Sequence, residues 1–428
     1  MSATLILVIV LAFLLLINNV PIWAALIFAC IPYFVINQVP LSVIPSQMST
    51  GTITSFILLA FPLFTLAGRL MNTGGVTKRI FDFADVVVGW IPGGLGHVNV
   101  LASMIFAGMS GSAVADIGGL GVIEIKGMKE KGYDLDFSAA ITIASSTIGP
   151  IIPPSAPMVL YAVMANESVG RLFIGGVLPG TLMGICLMIM VYFYSLNRNY
   201  PVSPRPSLRG ILKALGSVIL PLMNPLIILS GMIGGMFTPT EAAAVAVAYA
   251  FVLGKFVYRE LTWRQVFDDI RDTVKFCGSV YVIVGAALIF STVLTRERVG
   301  DMLINFVKSY SLSPTALVFA LALIVLIMGC FVEVTAMFFL LVPVFVPLID
   351  AMGISKVFFG VVFTITAVYG ILTPPFGLGL FMITSMTGLS FNRVVKATMP
   401  FLIPLILAVI LLILFPKIVT FLPDLLMG

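Results

Sequence analysis

The sequence predicts an all-α polytopic membrane protein made of two inverted-topology repeats, and three observations carry this prediction. The 428-residue chain is 60% hydrophobic and only 10% charged, and its mean hydropathy of +1.17 exceeds what a soluble core could bury. Its apolar runs are long enough for about ten helices of roughly 20 residues each. A segment broken by proline and glycine occurs twice, at matched positions.

The N-terminal segment MSATLILVIVLAFLLL predicts a first span that is retained, because it lacks the basic residues that open a cleaved signal peptide. The net charge of +5 is carried by loops and indicates membrane orientation rather than a nucleic-acid partner. The four cysteines stand singly in apolar runs. They predict core packing, with no disulfide and no zinc site.

The broken segment reveals an internal repeat. GPIIPP at 149–154 matches GILTPP at 370–375 with an offset of 221 residues. The same offset pairs Gly108 with Gly329, Gly132 with Gly353, and Pro179 with Pro400. We therefore predict a first repeat over 1–200, a cytoplasmic linker over 201–211 and a second repeat over 212–428.

Each repeat is predicted to contain the same elements in the same order: two spans, a third span beside an amphipathic segment, a helical hairpin, a proline-broken helix and a long last span. Proline costs about 3 kcal/mol inside a helix, so the two broken helices are the most informative elements. In the first repeat the elements lie at about 4–18, 21–37, 52–71, 95–131 (hairpin), 137–165 (broken helix) and 170–196. In the second they lie at about 212–234, 239–257, 277–294, 314–351 (hairpin), 357–388 (broken helix) and 393–422.

The hairpin arms are short and turn at polar tips, GMSGSAVADIGG and GCFVEVT, so we expect both hairpins to be re-entrant. Each repeat then crosses the membrane five times. Because this number of crossings is odd, the second repeat has the opposite orientation in the membrane. The positive-inside rule places Arg198, Arg205, Arg209 and Lys213 in the cytoplasm and both termini outside. Four basic residues fall outside against that rule: Arg171, Arg296, Arg298 and Lys308.

Inverted repeats with broken helices and facing hairpins are typical of secondary transporters. A broken helix presents backbone carbonyls that can hold a cation and N–H groups that can face an anion. Hydroxyl and carbonyl oxygens near the breaks suit Na⁺. Near the first break these candidates are Ser110, Gly111, Ser112, Asp116, Ser145, Ser146, Thr147, Gly149, Pro150 and Ser155. Near the second they are Glu333, Thr335, Thr366, Gly370, Thr373 and Gly377.

Other interpretations of these residues stay open. Small residues in membrane helices often serve close packing alone, and the two acids could merely cap hairpin helices. A membrane-embedded enzyme would need clustered catalytic groups, whereas the sequence has one histidine, His97, and no HExxH motif. Two hairpins that enter from opposite sides favour alternating access over an open channel.

Four stretches, taken in order, resemble a known family: GMSGSAVADIGGLG, IGPIIPPSAPMVLYA, FTPTEAAAVA and YGILTPPFGLGLF. Together they resemble the large membrane (M) subunit of tripartite ATP-independent periplasmic (TRAP) transporters, over essentially the whole chain. The resemblance implies Na⁺-coupled import of an organic acid, sialic acid or a C4-dicarboxylate. It also implies a small four-helix membrane (Q) subunit, a periplasmic substrate-binding protein (P), and a bacterial inner-membrane location with both termini periplasmic. A stand-alone Na⁺/carboxylate symporter of the elevator type remains the alternative.

The resemblance further implies an elevator-type transporter, in which the hairpins and broken helices form the transport domain and the other helices form the scaffold. It implies two Na⁺ sites between hairpin tips and helix breaks. These carry over to Ser110, Ser112, Gly149 and Pro150, and to Gly329, Gly370 and Thr373. The substrate carboxylate is expected between the two breaks, beside Gly111, Asp116, Ser155, Glu333, Thr335 and Gly377.

Overall fold

The computed structural model describes residues 2–18, 20–53, 55–196, 198 and 200–428. Met1, Asn19, Thr54, Asn197 and Asn199 fall in the predicted first repeat and lie outside the described residues. Helices make up nearly all of the described chain, as the apolar composition predicts. Many of them begin at a side-chain N-cap such as Ser2, Ser155 or Ser313, which accepts from an otherwise unbonded N–H.

The first half contains eleven α-helices and one 3₁₀ helix (Phe56–Leu59) in the described residues. The α-helices are α1 (Ala3–Ile17), α2 (Ile22–Ile36), α3 (Val43–Ile53), α4 (Ala60–Thr73), α5 (Val76–Val88), α6 (Leu95–Ser110), α7 (Ala113–Gly118), α8 (Leu120–Glu130), α9 (Leu135–Ser146), α10 (Ala156–Ala165) and α11 (Val169–Ser195).

The second half contains ten α-helices, one π-helical turn (Leu253–Val257) and one 3₁₀ turn (Gly370–Leu372) in the described residues. The α-helices are α12 (Leu208–Ile233), α13 (Pro239–Val252), α14 (Trp263–Arg296), α15 (Val299–Ser309), α16 (Pro314–Gly329), α17 (Val334–Ala351), α18 (Lys356–Tyr369), α19 (Leu378–Thr387), α20 (Phe391–Leu414) and α21 (Lys417–Met427).

Two helix–turn–helix units and two interrupted helices organise the centre of the molecule. We call α6–α8 the first hairpin and α16–α17 the second hairpin; the two arms of each pack against one another. The first broken helix is α9–α10, interrupted over 147–155, and the second is α18–α19, interrupted over 373–377 after a short 3₁₀ turn. Both interruptions contain a cis prolyl peptide bond, Pro153–Pro154 and Pro374–Pro375.

The first arms of the two broken helices lie in the middle of the hydrophobic core. Every residue of α9 from Phe137 to Ser146 is buried, and so is every residue of α18 from Val357 to Tyr369. A helix that is buried all round belongs to the core of a large membrane protein. A smaller apolar cluster joins α1 and α2 to α14 at the periphery.

Membrane-spanning length distinguishes the helices. By length and composition, seven helical segments in the described residues could cross a membrane: Phe56–Thr73, Val169–Ser195, Leu208–Ile233, Pro239–Val257, Trp263–Arg296, Val334–Ala351 and Phe391–Leu414. The two N-terminal apolar helices are only 15 residues each. The all-helical, multi-span fold class is therefore confirmed, while several expected crossings consist of shorter helices.

Two local expectations were wrong. The amphipathic segment RELTWRQVFDDIRDTVK was expected to be separate from the span at 277–294, but both belong to the 34-residue helix α14. A capping box between Thr262 and Gln265 starts this helix, and no proline follows to end it. The structure also contains a helix, α3, that begins at Val43, between the spans predicted at 21–37 and 52–71, where no element was predicted.

A polar contact ties the end of the first repeat, just before the linker, to the start of the first broken helix. Arg198 donates to Asp134 at 2.6 Å and Tyr200 donates to the same carboxylate oxygen at 2.7 Å. The Tyr200 hydrogen bond, with that of Arg198, holds the pKa of Asp134 below its ordinary value. Burial and the hydrogen bond to Asp134 raise the pKa of the Tyr200 phenol.

Candidate functional site

A cavity of about 750 Å³ lies between α4, the two hairpin tips and the two helix breaks. It is large enough for a small organic ligand. Nine of the residues singled out in the sequence line it: Ser110, Gly111, Ser112, Pro150, Gly329, Glu333, Thr335, Gly370 and Gly377. Eight others do not line it: Asp116, Ser145, Ser146, Thr147, Gly149, Ser155, Thr366 and Thr373.

The first hairpin tip touches the first break through its backbone. Gly111 has φ +58°, a left-handed conformation that favours glycine. A Cβ at Gly111 would lie 2.5 Å from the Pro154 carbonyl oxygen, and the Ala156 N–H donates to the Gly111 carbonyl at 3.4 Å. Gly149 lies in the same contact, because a Cβ there would lie 3.3 Å from the Ser112 carbonyl.

The three hydroxyl groups at the contact between the first hairpin tip and the first break make different interactions. The Ser110 hydroxyl is buried and makes no hydrogen bond among the described residues, so it has capacity for a cation. Ser112 caps α7 by accepting from the Ala115 N–H at 3.4 Å. Ser155 donates to the Pro150 carbonyl and caps α10. Ser155 therefore stabilises the break rather than facing the cavity, which corrects its expected role as a substrate contact.

The second hairpin tip meets the second break in a similar way. The Phe376 N–H donates to the Cys330 carbonyl at 3.2 Å, and Gly329 lies directly against Gly370. The Thr373 hydroxyl donates toward the Tyr369 and Gly370 carbonyls at 3.1 and 3.3 Å. Oxygen atoms therefore converge at this break, although the Thr373 hydroxyl proton is already donated to the Tyr369 and Gly370 carbonyls.

Glu333 and Thr335 stand at the tip of the second hairpin. Glu333 caps α17, accepting from the Ala336 N–H at 3.2 Å and from the Thr335 hydroxyl at 2.9 Å. Its side chain is exposed to the cavity. Glu333 is the one acidic residue among the described residues that line the cavity.

Asp116 is not where the sequence suggested. Its side chain is 1% exposed and turned away from the cavity, although its neighbours Ala115 and Gly118 line it. Neither carboxylate oxygen has a hydrogen-bond partner in the described part of the chain. Asp116 sits on the six-residue helix α7, whose one face lines the cavity and whose other face meets the core. Its expected role as a substrate contact is thus corrected.

Behind the first hairpin tip lies a buried polar network centred on Asn99. The Asn99 amide donates to Glu124 at 2.8 Å and to Thr142 at 2.7 Å, and its oxygen accepts from Ser145 at 2.6 Å. Ser103 donates to Ser145 at 3.2 Å. The network joins both hairpin arms to α9, so it holds the tip in register with the broken helix.

Sequence reasoning missed two cavity residues on α4, Arg69 and Asn72. Arg69 is the one cationic residue among the described residues that line the cavity. It stands inside the apolar stretch predicted as the third span, and charged residues within spans are often functional. That signal was available in the sequence.

Comparisons with known proteins agree with this architecture. Residues 7–418 match the family model described as "Tripartite ATP-independent periplasmic transporter, DctM component". The chain is 41% identical over 414 residues to the sialic acid TRAP transporter large permease protein SiaM of Vibrio cholerae, covering 97% of each chain. It is 37% identical over 369 residues to the C4-dicarboxylate TRAP transporter large permease protein DctM of Pseudomonas aeruginosa, covering 86% of each.

Solved structures share the fold at low sequence identity. The Alcanivorax borkumensis YdaH transporter superposes with a TM-score of 0.60 at 14% identity, covering 87% of each chain. Neisseria gonorrhoeae MtrF superposes with a TM-score of 0.59 at 14% identity, covering 87% of this chain and 83% of MtrF. These two show the fold alone. The family match and the two permease relatives show more: this chain belongs to the DctM family of large permease components of TRAP transporters, and is a multi-pass membrane transport protein rather than an enzyme.

Proposed function

We propose that this chain is the permease of a Na⁺-coupled secondary transporter that imports an organic acid delivered by a periplasmic binding protein. The observation that carries the proposal is that one cavity is bounded by both hairpin tips and both helix breaks. Broken helices facing hairpins provide carbonyl oxygens for a cation and N–H groups for an anion. A membrane cavity that offers both carbonyl oxygens and N–H groups suits co-transport of a cation and an anion.

Two Na⁺ sites are proposed where each tip touches its break. The first uses Ser110, Ser112, Gly149 and Pro150, and is supported by the buried Ser110 hydroxyl, which has no hydrogen-bond partner among the residues that the structure describes. The second uses Gly329, Gly370 and Thr373, and is supported by the convergence of oxygen atoms around Thr373. Hydroxyl and carbonyl oxygens are hard ligands that suit Na⁺.

The substrate is proposed to lie between these two sites, in the cavity itself. Of the residues expected there, Gly111, Glu333, Thr335 and Gly377 line it and stay in the proposal, while Asp116 and Ser155 leave it. The named substrates of the two permease relatives, sialic acid and C4-dicarboxylates, are both carboxylates. An organic acid of one of these classes is accordingly the proposed cargo, with sialic acid favoured by the higher identity.

An elevator mechanism with two inverted repeats completes the proposal. The hairpins and broken helices would move as one transport domain, because each tip is joined to its break by backbone contacts. The remaining helices would form the scaffold. Membership of this family implies Q and P partner components in general. We propose a separate small membrane subunit and a periplasmic binding protein for this chain, in a bacterial inner membrane with both termini periplasmic.

Reconstitution tests the function directly. The permease, its small subunit and its binding protein are placed in proteoliposomes, and uptake of labelled sialic acid and labelled succinate is measured with an inward Na⁺ gradient or with K⁺ in its place. We expect uptake of one acid that requires both Na⁺ and the binding protein. Equal uptake by the permease alone would instead support a stand-alone symporter, and uptake that ignores Na⁺ would contradict the coupling.

A further inference from the structure

We propose that Arg69 and Asn72 on α4 form the subsite that binds the carboxylate of the transported acid. This inference rests on the proposed function for the class of substrate, and adds the residues that recognise it. The two residues belong to a helix that is part of neither hairpin and neither broken helix. They would be the contact that the fixed part of the protein makes with the substrate.

The spacing on α4 presents both side chains to the cavity. Phe61, Thr65, Gly68, Arg69 and Asn72 line it, and these positions follow one face of a helix. Gly68 brings this face close to the first hairpin tip, because a Cβ there would lie 2.9 Å from the Ser110 Cα and carbonyl oxygen. Arg69 therefore stands immediately beside the tip that is proposed to hold Na⁺.

The Arg69 guanidinium is largely uncommitted. Its one ion pair in the described part of the chain is with Asp272 on α14, at 3.7 Å, longer than the 2.7–2.9 Å or so typical of a charge-assisted hydrogen bond. The Arg69 side chain is 34% exposed and that of Asp272 is 56% exposed, so this pair is weak. Arg69 makes no hydrogen bond to the described residues, which leaves its planar fork of donors available for a carboxylate.

Asn72 is positioned by a neighbour so that its amide nitrogen can bind a ligand. The Thr77 hydroxyl donates to the Asn72 side-chain oxygen at 2.8 Å. The amide N–H groups make no hydrogen bond with the described residues. Asn72 also packs against Gly119, where a Cβ would lie 2.5 Å from the amide, so the side chain is held against the first hairpin.

The charges across the cavity give the substrate a direction. Arg69 lies on the α4 wall, and Glu333 lies at the second hairpin tip. No ion pair joins them among the described residues. For an acid that carries hydroxyl and amide groups, such as sialic acid, a carboxylate bound at Arg69 and Asn72 would turn those donors toward the Glu333 carboxylate.

Equilibrium binding to the purified complex of permease and small subunit tests this subsite. Sialic acid and succinate are titrated in Na⁺ buffer, and the acid that the wild-type complex transports is used for the variants. R69Q is expected to raise Kd by about tenfold or more, the effect of removing a charge-assisted bond from a carboxylate. R69K should lie between R69Q and the wild type, because it keeps the charge and loses the fork.

Asp272→Asn is the matched control, because it breaks the same ion pair and leaves the guanidinium in place. We expect D272N to bind as tightly as the wild type or more tightly. An equal loss of affinity in D272N and R69Q would show that the ion pair is structural and would overturn the subsite. N72A keeps the Arg69–Asp272 ion pair, so it tests the subsite even if R69Q does not fold. A wild-type Kd in both N72A and R69K would also overturn the subsite.

Failure of the subsite and failure of the proposed function are distinguishable. If the wild-type system takes up no acid under a Na⁺ gradient, the proposed function is rejected, and the subsite with it. If the wild-type system is active and R69Q binds the acid with unchanged affinity, the subsite alone is rejected.

Discussion

Gly329 and Gly370 meet backbone to backbone at the point where the second hairpin touches the second broken helix. A Cβ on Gly370 would lie 2.7 Å from the Gly329 Cα, closer than real Cβ atoms approach. The first half contains the related contact between Gly149 and Ser112, at 3.3 Å. Glycine is needed because only a bare backbone lets tip and break come this close. We expect each tip and its break to behave as one rigid unit.

Gly370→Ala tests this close approach. The added methyl group would collide with backbone atoms of Gly329, which cannot rotate away as a flexible side chain could. We expect Na⁺-driven uptake to fall at least about tenfold, since the shift needed costs on the order of 1–3 kcal/mol. Uptake by proteoliposomes that contain equal amounts of folded protein measures the effect.

Gly216→Ala is the matched control for Gly370→Ala. Gly216 lies within α12, and a Cβ there meets no atom within 4 Å. Alanine should stabilise this exposed helix by up to about 1 kcal/mol and leave uptake unchanged. Equal uptake by the two variants would refute the claim that the Gly329–Gly370 contact has no room for a side chain.

The Asn99 network predicts a stability effect behind the first hairpin. Asn99→Ala removes hydrogen bonds from Glu124, Thr142 and Ser145, all of which are buried. Leaving buried polar groups unsatisfied costs about 1–3 kcal/mol, so the thermal unfolding midpoint in detergent should fall clearly. Asn18→Ala is the comparison, because the Asn18 amide is exposed and, among the described residues, donates to Leu14 of its own helix. A similar fall in both variants would contradict the role of the network.

The Asp134 contact predicts a pH dependence of stability. Its pKa is lowered by the Tyr200 hydrogen bond and by Arg198, so its contribution is present above the ordinary aspartate pKa and is lost as the pH falls through the lowered value. The side chain is 56% exposed, which limits the effect to the order of 0.5 kcal/mol. Asp134→Asn should therefore lower the unfolding midpoint at about pH 7 and have a smaller effect at about pH 3, below the ordinary aspartate pKa, where part of the contribution is lost.

A difference between wild type and Asp134→Asn that is the same at both pH values would contradict this assignment. Tyr200→Phe serves as a second variant, because it removes the hydrogen bond and keeps the Arg198 pair. We expect it to lose part of the pH-dependent difference. Midpoints measured in the same detergent and salt keep the comparison limited to this contact.

The sequence predicted the fold class and the family because those signals are local. Polar hairpin tips and clustered proline and glycine can be recognised without any knowledge of distant contacts, and the family assignment and the all-helical membrane fold are confirmed. The continuity of α14 was missed, since its amphipathic start and apolar remainder resemble two separate elements. The two parts form one helix because no helix-breaking residue such as proline lies between them.

The site was harder to predict because it depends on side-chain direction and on long-range packing. Asp116 directly follows Ala115, which lines the cavity, but the roughly 100° between consecutive helix positions on α7 places its carboxylate in the core. Arg69 is distant in sequence from both breaks, and only the packing of α4 against the first hairpin brings it to the cavity. The sequence motifs identified the hairpin tips and the helix breaks, but they did not identify α4, the helix that completes the cavity wall.

The most direct test of the account is the Na⁺ dependence of uptake in Ser112→Ala and Thr373→Ala. Each variant removes a hydroxyl group proposed to lie beside one of two Na⁺ sites. Thr384→Ala is the control, because in the described part of the chain its hydroxyl donates to Leu380 within α19 and it does not line the cavity. We predict that Ser112→Ala and Thr373→Ala each require more Na⁺ for half-maximal uptake, while Thr384→Ala behaves as wild type. Unchanged Na⁺ activation in both Ser112→Ala and Thr373→Ala would contradict the two-site account.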